Sequence, residues 1–120
     1  MAQTLTKLAE EIAARAVAAE MQGATLEVLD KSGDVLVRFG LAESMEVDAS
    51  LSKYTFESPG SEQVIKMGVP ATFRVLRKAS KEVLMTGTAG KDADLPIPAD
   101  KLFQGMKVTM GGIEFQLRFK

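Results

Sequence analysis

Neither cysteine nor histidine occurs in the 120 residues, tryptophan is missing, and tyrosine appears once, at Tyr54. Without cysteine there is no disulfide framework and no thiolate to act as nucleophile or ligand. Without histidine, the usual general base near neutral pH and the commonest metal ligand are gone. Together these absences exclude most hydrolase triads and structural zinc sites. Aromatic residues make up 6% of the chain, which gives poor support to a sugar-stacking face or to a single-strand nucleic-acid platform. No apolar run approaches the roughly 20 residues that span a bilayer. The opening residues, Met1 to Lys7, lack the basic and apolar regions of a secretory signal. A chain made in the cytoplasm, and staying soluble or joining an assembly, is expected.

Charge gives little direction. Fifteen basic residues against sixteen acidic ones leave a formal net charge of −1, with no footprint for nucleic acid or an anionic membrane. A hydrophobic fraction of 46% and a charged fraction of 26% are ordinary for a globular protein. The length suits one domain around one core.

Residues Thr6 to Gln22 read as a helix. Thr6 is placed to cap its start, Glu10 and Glu11 lie near the positive end, and Gly23 fits just past the other end. Leu5, Leu8, Ile12, Ala16 and Ala19 recur at spacings of three and four and form an apolar stripe. This stripe is expected to pack on the domain itself or, in part, on a neighbouring subunit.

After Gly23 the period becomes that of strands. Ala24 to Asp30 and Val35 to Phe39 flank a turn at Lys31-Ser32-Gly33-Asp34. Leu41 to Val47, Lys53 to Glu57 and Glu62 to Met67 are weaker strand candidates, with a turn at Ser58-Pro59-Gly60-Ser61. Ala71 to Arg77 and Glu82 to Thr86 flank Lys78-Ala79-Ser80-Lys81, and Gly87 to Asp94 reads as a polar loop. Leu95-Pro96-Ile97-Pro98 is an edge strand or connector. Met106 to Met110 meets Gly111-Gly112, a two-residue reverse turn into Ile113 to Lys120. In that last segment Ile113, Phe115, Leu117 and Phe119 alternate with Glu114, Gln116, Arg118 and Lys120, the pattern of a sheet with one buried and one wet face. The expected fold is mainly β: an antiparallel β-sandwich over residues 23–120, with one N-terminal α-helix over residues 1–22.

Few residues invite a chemical role. Gly87-Thr88-Ala89-Gly90-Lys91 is too short between its glycines for a phosphate loop, and Asp92 stands where Ser or Thr is required. Asp92, Asp94 and Asp100 lack the glycine and the final glutamate of a calcium loop. No catalytic, cofactor or metal-binding residue is expected. Tyr54 and Phe56 share one side of a strand, as a core or rim pair. With Leu5, Leu8 and Ile12 they are the candidate protein-contact residues.

The second half carries a resemblance. Ala71-Thr72-Phe73-Arg74-Val75-Leu76 is followed by Val83-Leu84-Met85-Thr86-Gly87-Thr88-Ala89-Gly90, then Ala93-Asp94-Leu95 and Phe103 to Met110, then the alternating strand. Gly23-Ala24-Thr25-Leu26-Glu27-Val28 precedes them. This order resembles a family of small tailed-phage and prophage virion structural proteins, closely over 71–120 and loosely over 1–40. The segment Leu41 to Met67 departs from it. Some members look like capsid cement or decoration proteins, and the resemblance implies a jelly-roll-like sandwich that decorates or cements a capsid without catalysis. It implies residence in the virion, a major capsid or other virion protein as partner, and a homo-oligomer, with no nucleic acid and no membrane. A tail or head–tail junction protein, and a receptor- or carbohydrate-binding module, are the alternatives. No functional residue carries over.

Overall fold

Thr6 starts the helix, as its spacing predicts. In the computed structural model, which describes residues 6–43, 45–48, 53–97 and 99–116, the Thr6 hydroxyl accepts from the Ala9 amide at 3.1 Å. Helix α1 then runs Lys7–Met21. Gly23, at φ +72°, takes the left-handed position past the end. The face turned inward is Ala14, Ala18 and Met21: the two alanines permit a close approach of the helix to the domain, and Met21 is among the largest fully buried side chains. Leu8 and Ile12, expected on a packed stripe, point outward instead, and Leu5 lies outside the described residues. Two apolar faces compete on this helix. The face carrying Ala14, Ala18 and Met21 is the one the domain covers.

Ten strands follow among the described residues: β1 Thr25–Leu29, β2 Val35–Gly40, β3 Met45–Asp48, β4 Lys53–Phe56, β5 Gly60–Gln63, β6 Thr72–Leu76, β7 Val83–Gly90, β8 Leu95–Pro96, β9 Lys107–Met110 and β10 Ile113–Gln116. They form a five-stranded sheet in the order β2-β1-β6-β7-β8, a three-stranded sheet β10-β4-β3 and a two-stranded ribbon β5-β9. Every pairing is antiparallel except the short β7–β8 contact. The fold is the expected mainly β, sandwich-like architecture with one N-terminal helix.

The core lies between the sheets. Leu26 pairs with Phe39 and Val75, and Val28 with Val37 and Phe73, so one face of the large sheet is wholly apolar. Facing it are Tyr54 and Phe56 of β4 and Ile113 and Phe115 of β10. The Phe115 ring sits 5.9 Å from Phe56 and 6.2 Å from Phe73, centroid to centroid, and so bridges the two sheets. Gly87 stands opposite Phe73 in the ladder. A Cβ there would come within 2.4 Å of the Phe73 ring, so the missing side chain is the space the ring occupies.

Three strand expectations are corrected. Gly87 to Gly90 is strand, because the segment pairs with β6 as far as Thr88 and takes β8 on its other side. Its glycines and alanine serve packing rather than a loop. Gly60 and Ser61 begin β5 rather than completing a turn. Gly111-Gly112 is no hairpin: β9 pairs with β5 and β10 with β4. Neither glycine has the positive φ that a two-residue hairpin turn requires, and the chain crosses there from one sheet to another.

Phe115→Ala is expected to lower stability by about 3–5 kcal/mol in chemical denaturation. Glu114→Ala, on the wet side of the same strand, should change it by less than about 0.5 kcal/mol. Gly87→Ala should be destabilising by about 1–3 kcal/mol through overpacking of Phe73.

A candidate protein-contact surface

Gly68 has no room for a side chain. A Cβ there would lie 2.8 Å from a Leu36 methyl carbon, so the backbone at 65–68 presses directly onto β2. The Ile65 amide donates to the Leu36 carbonyl at 2.7 Å. Lys66 pairs with Asp34, and its ammonium lies 4.0 Å from Asp30. Asp30 in turn accepts from the Ser32 and Asp34 amides and shapes the β1–β2 turn. The segment is thereby held at the tip of the first hairpin.

The other side of this segment is bound to the stretch before β9. Gly68 and Leu102 exchange backbone hydrogen bonds of 3.0 and 2.8 Å, the Val64 amide donates to the Met106 carbonyl, and the Gly105 amide to the Val64 carbonyl. Gly68 opposite Leu102 keeps the register of the β5–β9 ladder, in which Gly60 faces Met110. Val64 and Leu102 are the inward anchors. Ile65, Met67, Val69, Phe103 and Met106 face outward, with Val69 57% and Phe103 52% exposed. Of the nine large apolar side chains exposed among the described residues, five sit on these two facing segments, and the register that pairs Gly68 with Leu102 sets Phe103 opposite Met67, a local concentration rather than ordinary scatter. The Lys101 ammonium lies 5.5 Å from the Phe103 ring centre at the patch edge, a cation–π arrangement.

The expected contact residues separate. Tyr54 and Phe56 are buried in the core and present no surface to a partner. Their facing ladder neighbours, Phe115 and Ile113, cover them. Leu8 and Ile12 are 67% and 60% exposed and remain available. The apolar patch escaped the sequence reading because Glu62 to Met67 looks like one plain strand. The signal was Ile65, Met67 and Val69 at alternate positions before Pro70, with nothing to say which side faced the core.

A second feature without a sequence signal is Glu27. It is 3% exposed, in the middle of the large sheet. Its two oxygens accept from Arg38 Nε and Arg74 Nε, each at 2.6 Å. The three residues stand in one cross-strand row, since Glu27 pairs in register with both arginines. Burial pushes the Glu27 carboxyl upward, but the hydrogen bonds and charges of Arg38 and Arg74 outweigh it and hold the group below its ordinary range. Each Glu27 oxygen takes one charge-assisted bond, and each arginine gives its Nε to the row. Its role is structural.

The remaining candidates resolve similarly. Asp94 accepts from the Thr88 amide and hydroxyl, and its own amide donates back to Thr88, which ties the β7–β8 connection together. A shallow groove of about 700 Å³ runs between Leu95–Ile97 and the β9–β10 corner. Every fully buried side-chain polar atom among the described residues already has a partner, so no such group awaits a ligand in the groove. Comparisons with protein-family models, curated proteins and solved structures find no match for this chain.

Glu27→Gln should lower stability at pH 7 by about 1.5–3 kcal/mol, the range for hydrogen bonds to charged groups. A depressed carboxyl pKa contributes stability that is present above the unfolded value and lost as pH falls through the folded one. The gap between parent and variant in thermal melts should therefore close below about pH 4.

Proposed function

We infer that this chain is a non-enzymatic phage virion structural protein that decorates or cements the capsid through protein contacts. The observation that carries the reading is the apolar patch of Ile65, Met67, Val69, Phe103 and Met106. It is mounted on a segment pinned by backbone hydrogen bonds on both sides. A rigid apolar patch with a polar rim is what a protein partner desolvates at the centre of an interface. Little ordering entropy opposes binding when the surface is already held in place. The partner is the major capsid protein or another virion protein, met as many symmetry-related copies, so weak single contacts add through avidity. The sequence resemblance over residues 71–120 supports the setting.

The carbohydrate-module reading is disfavoured by the same surface. Tyr54 is in the core, and the aromatic side chain exposed among the described residues is Phe103. One phenylalanine offers a sugar little to stack on. The tail and head–tail junction reading shares the chemistry of the capsid reading and differs in the partner.

Purified protein mixed with matured shells that lack it should bind saturably. A raised shell melting temperature marks cementing, and saturable binding without it marks decoration. The double change Val69→Asp and Phe103→Asp should weaken binding at least about tenfold, a loss of about 1.4 kcal/mol or more. Val47→Ser, at an exposed apolar position on β3, should leave binding unchanged. Retention on tails or host cells, with none on shells, would replace the capsid assignment.

A further inference from the structure

Helix α1 is apolar on two sides. Ala14, Ala18 and Met21 face the core, while Leu8, Ile12, Ala16 and Ala19 lie on the opposite side and are all exposed. A helix with apolar residues on both faces is ordinarily covered on both. The domain covers one, and the C-terminal end is clamped there by Glu20, whose carboxylate takes two bonds from Arg77 at 3.0 and 3.2 Å.

We propose that the outer face of α1 pairs with the same face of a second copy of this chain, antiparallel, about a twofold axis near Ile12. The size gradient along the stripe selects that partner. Leu8 and Ile12 fill its first half, and Ala16 and Ala19 its second. An antiparallel match about Ile12 sets Leu8 of each copy against Ala16 of the other, large into small, and the twofold satisfies both ends at once. A parallel match would set Leu8 against Leu8 and alanine against alanine, crowding one end and leaving the other open.

Charge selects the same geometry. Glu11 and Arg15 occupy one flank of the stripe, and Ala9 and Ala13 the other, as the helical period requires. In an antiparallel pair, like flanks meet, so Arg15 of each copy faces Glu11 of the other. In a parallel pair those charges would face alanines. Neither Glu11 nor Arg15 forms an ion pair among the described residues. The surface is thus self-complementary in both shape and sign.

The contact is small. From Leu8 to Ala19 the stripe is about 16 Å long, and a helix pair of that length buries less than the roughly 1,200 Å² at which stable interfaces begin. Self-association should accordingly be weak and visible only at high concentration. It does not rest on the capsid reading, because the apolar patch at 65–69 and 103–106 is a different surface.

Sedimentation velocity of the full chain from about 1 to 500 µM should show a reversible monomer–dimer equilibrium, with a melting temperature that rises with concentration. Ile12→Asp, at an exposed position, should weaken dimerisation at least about tenfold while the circular dichroism of the monomer is unchanged. Glu11→Arg and Arg15→Glu should each weaken it, and the two together should restore it. The parent chain has no cysteine, so Ile12→Cys under mild oxidation should give a covalent dimer, whereas Ala79→Cys in an exposed turn should not. A monomer at every concentration overturns the pairing, as does a dimer indifferent to Ile12→Asp. If Ile12→Asp abolishes binding to shells while the protein stays monomeric throughout, the face belongs to the shell protein and the pairing is overturned. Loss of shell binding by the Val69→Asp and Phe103→Asp variant alone leaves it standing.

Discussion

A buried carboxylate with both oxygens committed sets the register of the large sheet. Glu27 sits on β1 between β2 and β6, and it reaches Arg38 on one side and Arg74 on the other. Slipping either neighbour by one residue would turn its apolar residues outward and leave the carboxylate facing Val37 or Phe39, Phe73 or Val75. The unpaired buried charge and the lost apolar packing both oppose such a slip. The aligned row also fixes the opposite face, where Leu26 and Val28 meet Phe39, Val75, Val37 and Phe73. The charged row and the apolar floor beneath it are two sides of one registration.

Two glycines translate that floor into the rest of the fold. Gly87 leaves space for Phe73, which then reaches Phe115 and joins the sheets. Gly68 lets the backbone at 65–68 lie against Leu36, and that approach carries the apolar patch to the edge of the first hairpin. Neither glycine sits at positive φ, so each is there for space rather than for an unusual backbone conformation. The patch is exposed because the segment that bears it is held by its main chain. Its side chains are free for a partner, which is the property the proposed capsid contact depends on.

The two exposed apolar surfaces differ in kind. The patch at 65–69 and 103–106 rests on a hydrogen-bonded ribbon with a cationic rim at Lys101, and its shape is set before any encounter. The outer face of α1 is a short helical stripe that complements itself. In the proposed capsid setting, the patch would face the shell and the helix stripe a second copy of the chain.

Local chemistry was legible from residues alone wherever a single rule sufficed. Thr6 and Gly23 bound the helix, Asp30 to Asp34 shapes the first turn, and the alternation at Ile113 to Phe115 places one wall in the core. Those assignments depend on nearest neighbours and on period, which the sequence by itself determined. It also excluded thiol and imidazole chemistry outright, because the residues are missing. Only the tertiary structure decided which of two apolar helix faces turned inward: Ala14, Ala18 and Met21 are buried while Leu8 and Ile12 are exposed, because the helical period marks both faces alike and only the packed domain distinguishes them. The same holds for Gly111-Gly112, which looks like a hairpin and serves as a crossing between sheets. Tyr54 and Phe56 became core once β10 lay beside them, and Glu27 became a pivot once two arginines 11 and 47 residues away arrived on either side. Partners distant in sequence carry no periodic signal, and the energy of a buried charge or a filled gap exists only after the chain has brought them together.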